Sequence, residues 1–219
     1  AGMRRFDPPL CALLLDGAAP QPYLAELTRR RLLVEGEAGP PRLSPVFQAY
    51  LERRAAQDRV RWIEQHRRAA AYFRRQHDAE GVLHHLLRAG DEAEAVLAVV
   101  QLAPSLLDAG HPVRVLDWVR RLPDTAREHP RLLELQAAAL RQSGRFDEAL
   151  RAEAAAERAY AASGDLDGQV RTLRGLAEVY LDTVQPAHAT DLLKRALKLL
   201  PRERTAERAS LLRLQAENW

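Results

Sequence analysis

The 219-residue sequence predicts an all-α fold: a solenoid of stacked helical hairpins, preceded by a small N-terminal domain of helices with one short β-wing. Three observations predict it. The first is an internal repeat. Aligning Ala149 with Ala189 gives a period of 40 residues, and Leu133 then falls with Leu173, Ala137 with Ala177, Leu140 with Tyr180 and Ala156 with Ala196. Small residues recur where two helices must touch and large apolar ones recur beside them, as expected of hairpins too small to bury their own apolar faces alone. The second is composition: 47% hydrophobic but only 5% aromatic, the apolar content being mostly Ala and Leu, which favour helix strongly. The third is punctuation, with Pro and Gly falling between stripes of helical period.

The elements follow in order. Leu10 to Leu15 is apolar, and a Gly/Ala/Pro loop covers Gly17 to Pro22. Tyr23, Leu24, Leu27 and Leu32 recur at helical spacing, and Leu32 to Glu35 reads as a short strand. Gly36 to Pro41 has the chemistry of a turn, with Arg42-Leu43-Ser44 as the returning strand. Ser44 is the expected N-cap of a helix that Pro45 opens, with Val46, Phe47, Tyr50 and Leu51 as its apolar face. Helix, helix, β-wing, helix is the order of a winged-helix domain, placed at 3–57. Its last helix is expected to pack on those that follow through Phe47, Tyr50 and Leu51.

Residues 58–130 read as degenerate hairpins. Val60, Ile63, Ala70 and Phe73 make one stripe, and Val82, Leu83, Leu86 and Leu87 a second, ended by Gly90 as the residue after the helix. A third runs from Glu92 to Leu107 and a fourth from Pro112 to Leu122, with breaks at Pro123-Asp124 and Pro130. The regular repeats occupy 131–219, the last of them truncated. The chain stops at Trp219 inside a helical pattern, so a fragment of a longer protein is expected.

Within 131–201 the residues resemble a tetratricopeptide repeat. Ala177, Tyr180, Ala189, Ala196 and Pro201 match its pattern of small, aromatic and terminal proline positions. The first copy departs at Leu140, where an aromatic is usual, and at Ala161, where Pro is usual. The family period is about 34, so each hairpin here is longer by roughly one and a half helical turns. The resemblance implies a concave face lined by the first helix of each hairpin. Carried over by register, that face is Arg131, Glu134, Arg141 and Gln142, then Arg171, Arg174, Glu178 and Asp182, then Arg213. Repeats that clamp a peptide C-terminus use Lys and Asn at these positions. Arg174 substitutes for the Lys, but Glu178 occupies an Asn position and would repel a carboxylate.

A second resemblance covers most of the chain. Cys11-Ala-Leu-Leu, Tyr23 to Val34, Leu43 to Leu51, His66 to Phe73, Ala89 to Ala95 and Val115 to Pro123 are similar, in that order, to a region of the large ATP-dependent LuxR-type bacterial transcription regulators, which are signal-transduction ATPases. Ser44 stands where that family often has His. The resemblance implies a winged helix coupling an ATPase core to a helical-repeat sensor, with contacts to other domains of the same chain. The function expected is therefore a non-enzymatic signal-sensing and coupling module that binds a protein or small-molecule effector. The alternative is a stand-alone repeat scaffold for protein–protein interaction, and a minor one is DNA binding by the winged helix.

Chemistry is sparse. No phosphate loop, Gly-x-Ser-x-Gly elbow or His-Glu-x-x-His helix is present, so no catalytic residue and no cofactor is expected. His77, His84 and His85 read as solvated or helix-terminal rather than metal-binding, because the adjacent pair points about 100° apart on a helix. Cys11, the single cysteine, reads as a small buried hydrophobe and fits a cytoplasmic location. No apolar run approaches the roughly 20 residues of a membrane span. Of 33 basic residues only Lys194 and Lys198 are lysine. Residues 1–90 hold 15 arginines against 10 acids, a surplus of five, while the remainder holds 18 basic against 20 acidic residues. The surplus sits near Arg29-Arg30-Arg31, which is expected to serve domain contacts rather than DNA.

Overall fold

The computed structural model describes residues 8–36 and 39–216 and is dominated by helix. Its contacts divide the chain into two compact units, Ala1–Asp91 and Glu92–Trp219.

The first unit holds α1 (Pro8–Leu14), α2 (Gln21–Arg29), β1 (Leu33–Gly36), β2 (Gly39–Leu43), α3 (Pro45–Ala55), α4 (Arg59–Arg75) and α5 (Ala79–Ala89). The strands pair antiparallel with Leu33 opposite Leu43 and an irregularity between Val34 and Gly36. The second strand begins at Gly39, earlier than the turn chemistry of Gly36 to Pro41 suggests. Residues 37–38 lie outside the described residues. Side chains supply the caps: Ser44 Oγ accepts from the Phe47 amide at 3.4 Å, Asp58 from Arg61 at 3.1 Å and Asp78 from Gly81 at 3.0 Å. Gly90 closes α5 in the left-handed conformation, at φ 77°.

The core of this unit lies between α4 and α5, and α1 adds Leu10 and Cys11, both buried. Arg68 ties α4 to α1 through the Leu13 carbonyl and to the turn after it through Asp16 at 2.6 Å. The buried face of α4 is Trp62, His66, Ala69 and Ala70, whereas Val60, expected on the inner stripe, is 81% exposed. The reason is rotational: Trp62 sits two residues on and buries far more surface, so it sets which side of α4 turns inward. Helix α3 is also less buried than its pattern suggests. Val46 and Tyr50 face outward, and Phe47 and Leu51 are half-buried.

The second unit runs α6 (Glu92–Asp108), α7 (Pro112–Arg121), α8 (Asp124–Arg127), α9 (Pro130–Gln142), α10 (Phe146–Ser163), α11 (Leu166–Asp182), α12 (Pro186–Leu199) and α13 (Thr205–Ala216). Each helix from α9 to α13 packs on the next, and α9 also touches α11. Ala149, Ala156, Ala177, Ala189 and Ala196 are fully buried, so the register read from the 40-residue period selects positions where helices meet. The two copies also turn alike. Gly144 closes the loop before α10 at φ 72°, and Val184, one period later, closes the loop before α12 at φ 58°. Lys194 and Lys198 stand exposed on α12.

Candidate functional site

Helices α9 and α11 lie side by side, and the sequence places charged residues along both. Arg131, Glu134 and Arg141 come from α9, and Arg171, Arg174, Glu178 and Asp182 from α11. The structure joins these seven into a network of two ion-pair clusters, each of which bridges the two helices. Glu134 is buried and accepts from Arg131 on its own helix and from Arg171 across the gap, the latter at 3.2 Å. Arg141 bridges in the other direction, reaching Glu178 and Asp182 at 3.0 Å each. Arg174 holds Glu178 from four residues away at 2.8 Å. Gln142 is exposed and stands outside this network. Arg213 is exposed on α13.

Four further residues belong to the site that the sequence reading did not single out. Tyr160 of α10 accepts from Arg171 Nη2 at 3.3 Å, and the guanidinium lies 5.4 Å from the ring centre. Glu153, also on α10, is buried with its Oε2 unpartnered. Gly175 of α11 makes room for it, since a Cβ there would collide with the Glu153 carboxyl group. Gly168, seven residues earlier, does the same for the Tyr160 ring. A signal for Glu153 was present: Ala149, Ala152, Glu153, Ala156 and Tyr160 recur at 3.6-residue spacing and make one stripe.

Burial and the neighbouring Glu134 and Glu178 push the Glu153 carboxyl up to about 9, against the opposing pull of Arg141 and Arg131. It is therefore a neutral acid at pH 7, beneath a face on which each arginine already has a carboxylate partner. Burial and Glu134 likewise push the Tyr160 hydroxyl up to about 12. The face can exchange partners: an arriving charged group competes with internal ion pairs rather than meeting bare arginines.

The histidines sort differently from the sequence reading. His77 is exposed in the left-handed conformation, but His85 is buried and meets His66 at 2.8 Å between their Nδ1 atoms. One ring donates and the other accepts, and burial disfavours charge on either ring, so both are neutral at pH 7. Trp62 packs edge-on against His66, with ring centres 4.3 Å apart, and Phe73 stacks on His85 at 5.2 Å. Burial, then the positive neighbours Arg88 and His84, lower His66 to about 4, with Glu52 opposing. Burial, then His66, His84 and Arg88, lower His85 to about 3. Among the described residues no group of three or more His, Cys, Asp or Glu is placed to hold a metal ion. No described helix is long and apolar enough to cross a membrane. Arg29 and Arg30 both pair with Glu26, at 2.5 Å.

No family model matches the chain. It is similar to the serine/threonine-protein kinase PknK of two strains of Mycobacterium tuberculosis and of Mycobacterium bovis. Identity is 31% over 189 residues, covering 80% of this chain and 17% of each relative. The chain thus spans well under a quarter of the length of the relatives that it matches.

Proposed function

We propose that this chain is a non-enzymatic signal-sensing and coupling module of a multidomain, cytoplasmic transcription regulator of the LuxR type. Residues 131–219 form a tetratricopeptide-like sensor, and 3–57 form a winged helix that passes the signal to other domains of the same chain. The observation that carries this reading is the α9–α11 network. Seven of the nine residues expected on the concave face meet there in two sets of ion pairs, each bridging α9 and α11. A polar set on one face, held in place by packed helices, is suited to recognising a protein or small-molecule effector whose charges replace the internal partners. The order of helices and strands in the first unit supports the winged helix, and the shared turn at Gly144 and Val184 supports the repeat.

The test uses the intact protein and its inducer. Among the described residues Arg174 pairs within its own helix, so Arg174→Ala should blunt the response at least several-fold while leaving the melting temperature unchanged. Arg171→Ala should blunt the response and also lower the melting temperature, because buried Glu134 loses a partner. A normal response from both variants rejects the face. A second reading keeps the module and changes its output. The similarity to PknK favours a receiving region attached to a protein kinase, in which case the same variants alter kinase output rather than transcription.

A further inference from the structure

Helix α6 is apolar around most of its circumference. One side, formed by Ala95, Val99, Ala103 and Leu107, is buried. Val96 is buried on this side too, and at its edge Ala93 and Leu97 stay exposed, Leu97 by 48%. Among the described residues the four-residue α8 lies beside this edge, and between them runs a groove of about 620 Å³ lined by Ala93, Val96, Leu97 and Ala126. That volume is in the range of sites that take apolar ligand groups.

The groove's charge narrows what fits it. Glu92 and Glu128 line it and are exposed, and among the described residues no cation pairs with either. Glu92 accepts only the Thr125 hydroxyl, at 3.5 Å. Asp124, by contrast, is held by Arg127 at 2.7 Å. Two unspent carboxylates beside an apolar floor favour an apolar partner with positive charge at its margins and oppose an acidic one. The floor spans little more than one turn of α6, the length over which a docking helix presents two or three anchors at i, i+3 and i+4.

We propose that the α6–α8 groove is a docking site for a basic amphipathic helix of a partner protein, its aliphatic side chains on Ala93, Val96, Leu97 and Ala126 and its Lys or Arg residues on Glu92 and Glu128. This site is separate from the α9–α11 face and does not depend on it.

Binding is measured by fluorescence anisotropy on the full chain. The probe is a labelled peptide of about 18 residues with Leu at i, i+3, i+4 and i+7 and Lys elsewhere. Two control peptides carry Glu in place of Lys, or Ser in place of Leu. The basic Leu peptide should bind saturably and both controls at least ~10-fold more weakly. Leu97→Ser, and separately Glu92→Gln with Glu128→Gln, should each weaken the basic peptide ~10-fold with unchanged melting curves, since all three residues are exposed. Arg174→Ala should leave binding unaltered, which separates this site from the effector face. Equal binding by wild type and groove variants overturns the proposal, as does equal binding of the acidic peptide.

Discussion

Glu153 keeps its proton far above the range of an ordinary carboxylic acid, and that has a signed consequence for stability. Its folded value of about 9 exceeds the ordinary glutamate value of 4.5, so folding takes up a proton between those limits. The stabilisation is fully present below pH 4.5 and is lost as pH rises through about 9. Glu153→Gln keeps the shape and the neutrality but has no proton to lose. It should melt higher than wild type at pH 8, by at least about 5 °C, and equally at pH 4.5. Thermal melts at the two pH values check this, and parallel pH profiles would refute it. The histidine pair has the opposite sign. His66 and His85 fall to about 4 and about 3 from 6.5, so their stabilisation is full above pH 6.5 and erodes as pH falls toward those values. With two protons the slope reaches at most ~2.7 kcal/mol per pH unit. His66→Leu with His85→Phe should flatten the acid limb in urea titrations between pH 7 and pH 4. These residues were only partly legible in the sequence. Glu134 and the arginines stood on a face that register could locate. Glu153 sat among alanines, and its burial depends on Gly175, whose proximity no local pattern reports. His85 lies three residues after Val82 on the apolar stripe of α5, a position its residue type disguised.

Elements were the most legible level, because their signals are local. Asp165 before α11 accepts from the Gly168 amide at 2.8 Å, and Gly90, Gly144 and Gly164 take the left-handed turns that a Cβ disfavours. Among the described residues Asp16, Arg31, His77 and Val184 take that conformation without being glycine, and of these Val184 is the β-branched one. A β-branched residue at φ 58°, 85% exposed, carries backbone strain that its neighbours do not relieve. Val184→Gly should raise stability by roughly 0.5–1 kcal/mol in chemical denaturation, making this loop match the one at Gly144. A loss of stability would show the valine to be favoured by a contact. At the helix contacts the direction reverses. Ala189 is fully buried, so Ala189→Leu should overpack α11 against α12 and cost about 1–3 kcal/mol. An unchanged melting curve would reject the register. Periodicity misled where two inward faces competed. Val60 and Trp62 lie about 200° apart on one helix, and only the packing decides between them.

At the scale of the whole molecule the contacts part at 91/92, inside the stretch 58–130 that the sequence presents as one run of similar hairpins. Amphipathic helices advertise that they bury a face, not which neighbour covers it, so α5 and α6 read alike although they belong to different units. The units should respond to pH in opposite directions, since the histidine pair lies in the first and Glu153 in the second. Trp62 and Trp118 report one unit each. In a Trp219→Phe background, acid should destabilise the Trp62 transition first, and alkali the Trp118 transition. Coincident shifts of both signals at either extreme would count against separate responses. The near-absence of lysine has a practical consequence. Lys194 and Lys198 lie four residues apart, both exposed on α12, so amine-reactive reagents can attach only there and at the chain's own N-terminus. Tethering through those two side chains would hold every molecule on a surface in one orientation.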